Sequence, residues 1–510
     1  MINSPVELAQ QAVDQCAVEA TSYVTFESEG SLLVIGATSE VLEILSLLNA
    51  FSVSVFCVDS YTSQEQVRLL ERVNLIEAVV NIQLSGYLGN FTVTGVANSF
   101  DLVLDLRQEA DFQSALSPIG YFQLTAIGEL PRVVEQLNDL VGIFYKPKDL
   151  SYLEEKCAHS RNQIEGCRQC IDICSADAIT SVDFQIVVNP YLCQGCGDCS
   201  VVCPSGAMNY QYLSRQDILN QLRSMLKAFY SAGGRQPVVV FCNAEDRSVL
   251  ASYRNDYLLF PLESLSSVGA EVWLAALAFG AGLVVLYNSE PLLASSEQVL
   301  NNELEVTRAI LIGMGFSEKL LYRSEGVLVQ NNGADFLTIP PATFAGDNDK
   351  RAIFRLAVDH LFNYASQQPR QVKLLGNTAW GEVKAARDLC TLCFSCVSAC
   401  PSGALQSGQN SPQLNFIESL CLQCNLCVST CPEQALALSA RYVYDGVGAR
   451  SSRRLHEESA FHCINCQKPF ATEKMMTVMK EKLSGHPMFQ GEALKRLEMC
   501  EDCRIKSQFG

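Results

Sequence analysis

The sequence predicts a multidomain chain of α/β plus α+β type: two α/β domains alternate with two small cysteine-bound modules, and a four-cysteine tail follows. Three observations carry this. A chain of 510 residues is too long to fold around one hydrophobic core. Its 23 cysteines are grouped, with eight between Cys157 and Cys203, eight between Cys390 and Cys431 and four between Cys463 and Cys503. Cys16, Cys57 and Cys242 stand outside the groups. Between the groups, apolar runs alternate with helical periodicity, which favours parallel sheets. The expected units are therefore 1–150, 151–212, 213–366, 367–440 and 441–510.

Composition narrows the function classes. The chain is 48% hydrophobic and 18% charged, as folded proteins are. A formal net charge of −18 argues against nucleic acid as a partner, because phosphate neutralisation needs clustered Lys and Arg. Such acidity suits solubility and steering toward basic partner surfaces. The start, Met1-Ile2-Asn3-Ser4-Pro5-Val6-Glu7, has neither the basic nor the apolar stretch of a secretory signal. A cytoplasmic setting is expected, where thiols stay reduced and grouped cysteines read as metal ligands rather than disulfides. The longest apolar run, 268–286, has about the length of a membrane span. It contains Glu271, and Gly280 and Gly282 divide it into a helix over 268–279 and a strand over 283–286. A buried αβ unit is expected there, and no integral membrane segment.

Within 1–150 the pattern gives a strand over 31–35, a helix over 39–48, a strand over 51–58 ending at Asp59, and a later strand over 102–106. Gly36 follows the first strand and Asp59 ends the second, the placement of a Rossmann-like dinucleotide fold. The fingerprint needs three glycines, so that backbone approaches the pyrophosphate. Thr38 and Val41 hold the second and third positions. A structural Rossmann-like α/β domain is expected, with flavin or nucleotide binding as the alternative. In 213–366, Ser214 followed by Asp217 resembles a capped helix start, and Ile218, Leu219, Leu222, Met225, Leu226 and Phe229 line one face. Gly233-Gly234 ends that helix, and 238–241 is a buried strand.

The clearest motif is Cys421-x2-Cys424-x2-Cys427-x3-Cys431-Pro432, matched by Cys390-x2-Cys393-x2-Cys396-x3-Cys400-Pro401. Upstream, Cys193-x2-Cys196-x2-Cys199-x3-Cys203-Pro204 repeats it. Its partner is irregular: Cys157, nine residues, then Cys167-x2-Cys170-x3-Cys174, with an enlarged loop at 158–166 and Ser175 in place of proline. The residues after each fourth cysteine also agree: Ser175-Ala176-Asp177-Ala178, Pro204-Ser205-Gly206-Ala207, Pro401-Ser402-Gly403-Ala404 and Pro432-Glu433-Gln434-Ala435. Closely spaced cysteines on one loop wrap several irons of a cubane, and zinc rarely needs eight cysteines in two identical runs.

Residues 151–212 and 367–440 thus resemble the bacterial dicluster ferredoxins. The resemblance implies two ferredoxin-like dicluster domains and four [4Fe–4S] clusters. It also implies that the fourth cysteine of each run ligates the neighbouring cluster. The implied sets are Cys390, Cys393, Cys396 and Cys431; Cys421, Cys424, Cys427 and Cys400; Cys193, Cys196, Cys199 and Cys174; and Cys157, Cys167, Cys170 and Cys203. If Cys157 is not a ligand, three cysteines would hold an incomplete, more labile cluster.

Cys463-x2-Cys466 and Cys500-x2-Cys503 form two knuckles suited to tetrahedral coordination, so 441–510 reads as a zinc-ribbon-like module. A rubredoxin-like single iron and no metal at all are the alternatives. His462 is expected beside that site rather than in it. Cys242 follows Phe241 in a segment faintly similar to the delta subunit of methyl-viologen-reducing hydrogenases, which uses several cysteines where this segment has one. Cys16, Cys57 and Cys242 are expected to be ordinary core residues. His159, His360, His456 and His486 have no motif partner, and no catalytic residues are expected.

The layout, with stretches such as Cys463-Ile464-Asn465-Cys466-Gln467-Lys468-Pro469-Phe470, resembles the multi-cluster iron–sulfur proteins associated with formate dehydrogenase systems. That implies an accessory electron carrier with a formate dehydrogenase or similar redox partner. A flavin- or NAD(P)-dependent iron–sulfur reductase, and a maturation or regulatory protein holding clusters structurally, are the competing classes.

Overall fold

The computed structural model describes residues 4–16, 18, 22–59, 73–76, 82–159, 165–253, 257–328, 335–345, 348–409 and 411–509. It is a mixed α/β chain with several small sheets. The middle of the enlarged loop, 160–164, lies outside the described residues.

In the N-terminal segment, Ser31–Gly36, Ser52–Cys57, Asn74–Leu75, Leu102–Asp105 and Tyr121–Gln123 form a parallel sheet, ordered 3-2-1-4-5 when counted along the chain. Leu32, Val34, Leu102 and Leu104 are buried under the helices Thr38–Ile44 and Leu130–Asp139, which bring Val41, Ile44, Val133 and Leu137 to the same core. The first helix of the chain, Pro5–Asp14, is capped by Ser4 and Glu7 and packs elsewhere. Its Ala9 and Val13 join the core of the central segment with Ile218 and Leu222. There Gln221 Nε2 donates to the Cys16 carbonyl at 2.8 Å.

The central sheet is also parallel, with Val238–Asn243, Leu258–Leu262, Leu283–Asn288 and Leu321–Glu325 in the order 2-1-3-4. The expected helix from Ser214 is Arg215–Ser231, and all six residues of its predicted apolar face are buried. The long apolar run forms the helix Ala270–Ala278 and the strand Leu283–Asn288, both buried along their whole length. No described helix is long and apolar enough to cross a membrane. The one charge in that helix, Glu271, is paired with Arg215 at 2.7 Å.

The two cysteine-rich modules repeat one plan. The first pairs Leu150–Tyr152 with Met208–Tyr210, and Ile179–Val182 with Gln185–Val188, around the short helices Gln169–Asp172 and Asp198–Val202. The second pairs Gly381–Ala385 with Leu436–Val443, and Leu405–Ser407 with Gln413–Phe416, around Ser395–Ala399 and Leu426–Ser429.

Open α/β sheets bind ligands beyond the carboxyl ends of their strands. In the central domain that end is occupied by the first module. The Ser264 and Ser266 hydroxyls, after the second strand, donate to the Cys196 carbonyl at 2.8 and 2.7 Å. The Ser295 and Ser296 hydroxyls, after the third, donate to Asp198 Oδ2 at 2.9 and 3.0 Å. The domain serves as a platform for the cysteines. At the other end of the chain, Arg453–Glu457 extends the second module's sheet, and the hairpin Ala460–His462 with Pro469–Thr472 carries the tail onto it. Thr472 is 2% exposed and its hydroxyl donates to the Thr391 carbonyl at 3.1 Å.

Candidate metal centres

The cysteine loops share an unusual backbone. In each complete run, the residues two and four after the first cysteine are left-handed: Gly195 and Gly197, Leu392 and Phe394, Gln423 and Asn425. This curls the loop around its own cysteines, and Gly197, Phe394 and Asn425 then cap the short helices that follow. The third residue after every fourth cysteine is left-handed too: Asp177, Gly206, Gly403 and Gln434. That turn brings the chain back so that backbone N–H groups point at sulfur. Ala178 N–H donates to Cys174 Sγ at 3.3 Å, Ala435 N–H to Cys431 Sγ at 3.3 Å and Met208 N–H to Cys203 Sγ at 3.5 Å.

Folding gathers the thiols into groups. Cys390, Cys393, Cys396 and Cys431 line one small cavity, with Leu392, Leu414 and Leu436. Cys400, Cys421, Cys424 and Cys427 line its neighbour. Cys174, Cys193, Cys196 and Cys199 line a third, roofed by Leu116 of the N-terminal domain. Burial first, then neighbouring thiolates, makes ionisation of Cys396 and Cys427 costly. The Cys396 thiol is pushed up to about 12 by burial with Cys390, Cys393 and Cys431. Cys424 is pushed up to about 11 by burial with Cys400 and Cys421. Four such thiolates coexist only around a positive centre. Soft sulfur donors converging on an apolar cavity, with N–H groups aimed at the sulfurs, fit an iron–sulfur cluster.

Comparison with known families agrees. The model of the 4Fe-4S dicluster domain matches residues 389–436, and that of the 4Fe-4S binding domain matches residues 185–208. The chain carries ferredoxin-type iron–sulfur domains. Such domains indicate iron–sulfur electron transfer. A comparison with curated proteins finds no match.

In the first ferredoxin-type domain the irregular half is built differently. Cys157, Cys170 and Cys203 are buried and Cys167 is half-buried. Burial, then the charges of Cys203, Cys424 and Cys157, push the Cys167 thiol up to about 12. Cys170 is raised further by burial and by Cys203, Cys167 and Cys157. Cys157, Cys170 and Cys203 pack in one buried cluster, and Cys167 lies within reach of its charges. In the spacer between Cys157 and Cys167, His159 is fully buried. Its ring nitrogens meet the Cys167 carbonyl at 3.1 Å and the Ser181 hydroxyl at 2.7 Å, and its backbone N–H donates to Cys157 Sγ at 3.3 Å. Sequence reasoning missed this role, because Ser181 reaches the loop only through the fold.

It also missed Lys350 and Arg351. Lys350 Nζ donates to the carbonyls of Ser200, Val201 and Cys203, closing the C-terminal end of the helix Asp198–Val202. Arg351 donates to four carbonyls from both domains and lies 4.1 Å over the Trp380 ring. Burial and Arg355 pull its guanidinium down to about 10, so it is charged at neutral pH.

In the tail, the sulfurs of Cys463, Cys466, Cys500 and Cys503 all lie within 4.8 Å of one another. Tetrahedral zinc thiolates stand about 3.8 Å apart, from Zn–S bonds of about 2.3 Å. The site therefore fits one such ion with small adjustment. Although burial opposes it, backbone N–H groups of Cys500, Cys466 and Asn465 pull the Cys463 thiol down and favour the thiolate a metal needs, whereas hydrogen bonding with Cys466, Cys500 and Cys463 outweighs Asn465 and pushes Cys503 up. Of the remaining cysteines, Cys242 is fully buried and Cys57 nearly so, whereas Cys16 is half-buried. Burial and Asp246 push the Cys242 thiol up to about 12, which suits an inert core thiol.

Proposed function

We propose that the chain is an accessory electron carrier that relays single electrons. It holds four [4Fe–4S] clusters on Cys174/Cys193/Cys196/Cys199, Cys157/Cys167/Cys170/Cys203, Cys400/Cys421/Cys424/Cys427 and Cys390/Cys393/Cys396/Cys431. The observation that carries this reading is the gathering of thiols from opposite ends of a module, as when Cys431 joins Cys390, Cys393 and Cys396 around one cavity. A bound cluster supplies reversible one-electron transfer at a potential set by its surroundings. The protein's part is to hold the thiolates, to aim N–H groups at their sulfurs and to keep water away with Leu116, Leu392 and Leu414.

Cys463, Cys466, Cys500 and Cys503 bind one structural zinc in this reading, which fixes the tail against the second module. The N-terminal domain is Rossmann-like, as its strand order supports, and serves docking rather than flavin or nucleotide chemistry. A reducing, cytoplasmic compartment suits so many thiolates. The redox partner is a formate dehydrogenase or a similar enzyme with a basic docking face, complementary to a net charge of −18.

The test is anaerobic purification with iron, acid-labile sulfide and zinc counted per chain. About sixteen irons, as many sulfides and one zinc are expected. About eight irons would remove one dicluster module from the proposal. Co-purification with a formate dehydrogenase subunit at low salt, lost at high salt, tests the partner.

A further inference from the structure

Lys350 and Arg351 open the helix Lys350–Asn363, behind the cap Asp349. Two cations at the positive end of a helix dipole are locally unfavourable. A broken local rule of this kind marks residues held for another purpose. The Arg351 guanidinium leaves the helix as a fork. Nη1 donates to the carbonyls of Pro204 at 3.2 Å and Ala379 at 3.1 Å, and Nη2 to those of Ser419 at 3.2 Å and Cys421 at 2.9 Å. Pro204 follows Cys203 of the first module, and Cys421 belongs to the second. One planar group therefore ties the two modules together beside a cysteine of each.

The seam closes tightly next to it. A Cβ on Gly166 would stand 3.1 Å from Leu426 Cδ1, so the loop before Cys167 touches the helix after Cys424. Within each module Cys199 packs in one buried cluster with Cys170, and Cys427 with Cys396.

We propose that Arg351 is a positioning residue that locks the seam, so that the four thiol sets stand in one row rather than in two separate pairs. The row runs from the Cys174/Cys193/Cys196/Cys199 set to the Cys157/Cys167/Cys170/Cys203 set, crosses the seam to Cys400/Cys421/Cys424/Cys427, and ends at Cys390/Cys393/Cys396/Cys431. Its first end lies under Leu116 of the N-terminal domain and its last beside the tail, where Thr391 meets Thr472. The inference rests on the proposed function and gives its sites an order.

The test removes the two outer sets from the full-length chain with Cys193→Ala, Cys196→Ala, Cys390→Ala and Cys393→Ala. About eight irons should remain, half in each module. Electron paramagnetic resonance of the fully reduced protein should then show signals broadened by mutual spin coupling. Adding Arg351→Ala should abolish the broadening, and Arg351→Lys should not restore it, since an ammonium lacks the fork. Two unbroadened, independent signals with those irons bound would overturn the proposal.

The otherwise unaltered chain provides the second measurement. Arg351→Ala should move two of the four reduction steps to more negative potential at constant iron content, because a nearby cation favours the more negative reduced state. Arg351→Lys should return them toward the original values. Four unmoved steps would also overturn the proposal. An unaltered chain with far fewer irons than expected would instead sink the proposed function itself.

Discussion

Thr38 donates twice to one oxygen of Asp59, from its backbone N–H at 2.8 Å and from its hydroxyl at 2.7 Å. The accepting carboxylate thus lies at the N-terminal end of the helix Thr38–Ile44, where a dinucleotide fold receives a pyrophosphate. This chain brings its own anion to that place. Gly36 serves packing instead, since a Cβ there would stand 2.9 Å from Leu106 Cβ.

The first prediction follows from that pair. Asp59→Ala should destabilise the N-terminal domain by about 0.3–1 kcal/mol at neutral pH and leave iron content unchanged. Burial pulls the Asp59 carboxyl up, but the Thr38 bonds outweigh it and hold the group below its ordinary value. Its contribution is therefore complete above the unfolded-state value of about 3.9, and fades as pH falls through the lower folded value. Thermal melts of the unaltered protein with NADH, NADPH or FMN should show no stabilisation. A clear upward shift with any of them would refute this reading of the domain.

The buried pair Arg215–Glu271 carries the second prediction. Glu271 is 1% exposed and Arg215 5% exposed. Arg215 also reaches Asn209 and the Ser200 carbonyl, so the pair ties the central domain to the first module. Burial would raise the Glu271 carboxyl, but Lys350 and Arg215 more than offset it and hold the group below its ordinary value. Stability from this pair is present above the ordinary Glu range and is lost as pH falls below it. Glu271→Ala should cost about 3–5 kcal/mol by leaving Arg215 buried without its partner. Chemical unfolding followed by tryptophan fluorescence measures this, since Trp273 lies in the same helix. A change under about 1 kcal/mol would show that water reaches Arg215 in the variant.

How far the site was legible depends on how local each contact is. The cysteine spacing was readable because each loop wraps its own thiols, and the strands at 31–36 and 238–243 because apolar runs announce buried parallel sheets. The left-handed positions of the loops went unread. Gly195 and Gly197 make the turn in one loop, whereas Leu392, Phe394, Gln423 and Asn425 adopt the same backbone without glycine. Arg351 was invisible because its acceptor carbonyls at Pro204 and Cys421 lie 147 and 70 residues away in sequence.

Those non-glycine positions give the third prediction. A left-handed residue with a side chain costs about 1–2 kcal/mol, and β-branching makes it worse. Asn425→Gly should therefore be neutral or stabilising, whereas Gln423→Val and Phe394→Ile should speed the loss of iron from residues 390–431 in air. Iron release followed by absorbance decay checks this. Equal rates for the glycine and β-branched variants would mean that the loop does not keep this backbone in solution.

The fourth prediction concerns the irregular half of the first module. Gly166, just before Cys167, lies against Ala158, just after Cys157, and a Cβ on Gly166 would collide with the Ala158 carbonyl oxygen. That oxygen belongs to backbone rather than to a flexible side chain, so the loop must open to admit alanine. His159 would then lose its hold on the Cys167 carbonyl, and Cys157 would move away from Cys170 and Cys203. Gly166→Ala should reduce bound iron from about sixteen to about twelve per chain and leave residues 390–431 fully loaded. His159→Ala should weaken the same site less, because it removes the ring contacts but leaves the N–H bond to Cys157 Sγ. Full iron in Gly166→Ala would show that Cys157 is not held by this spacer, and the four-thiol set at Cys157, Cys167, Cys170 and Cys203 would lose its structural support.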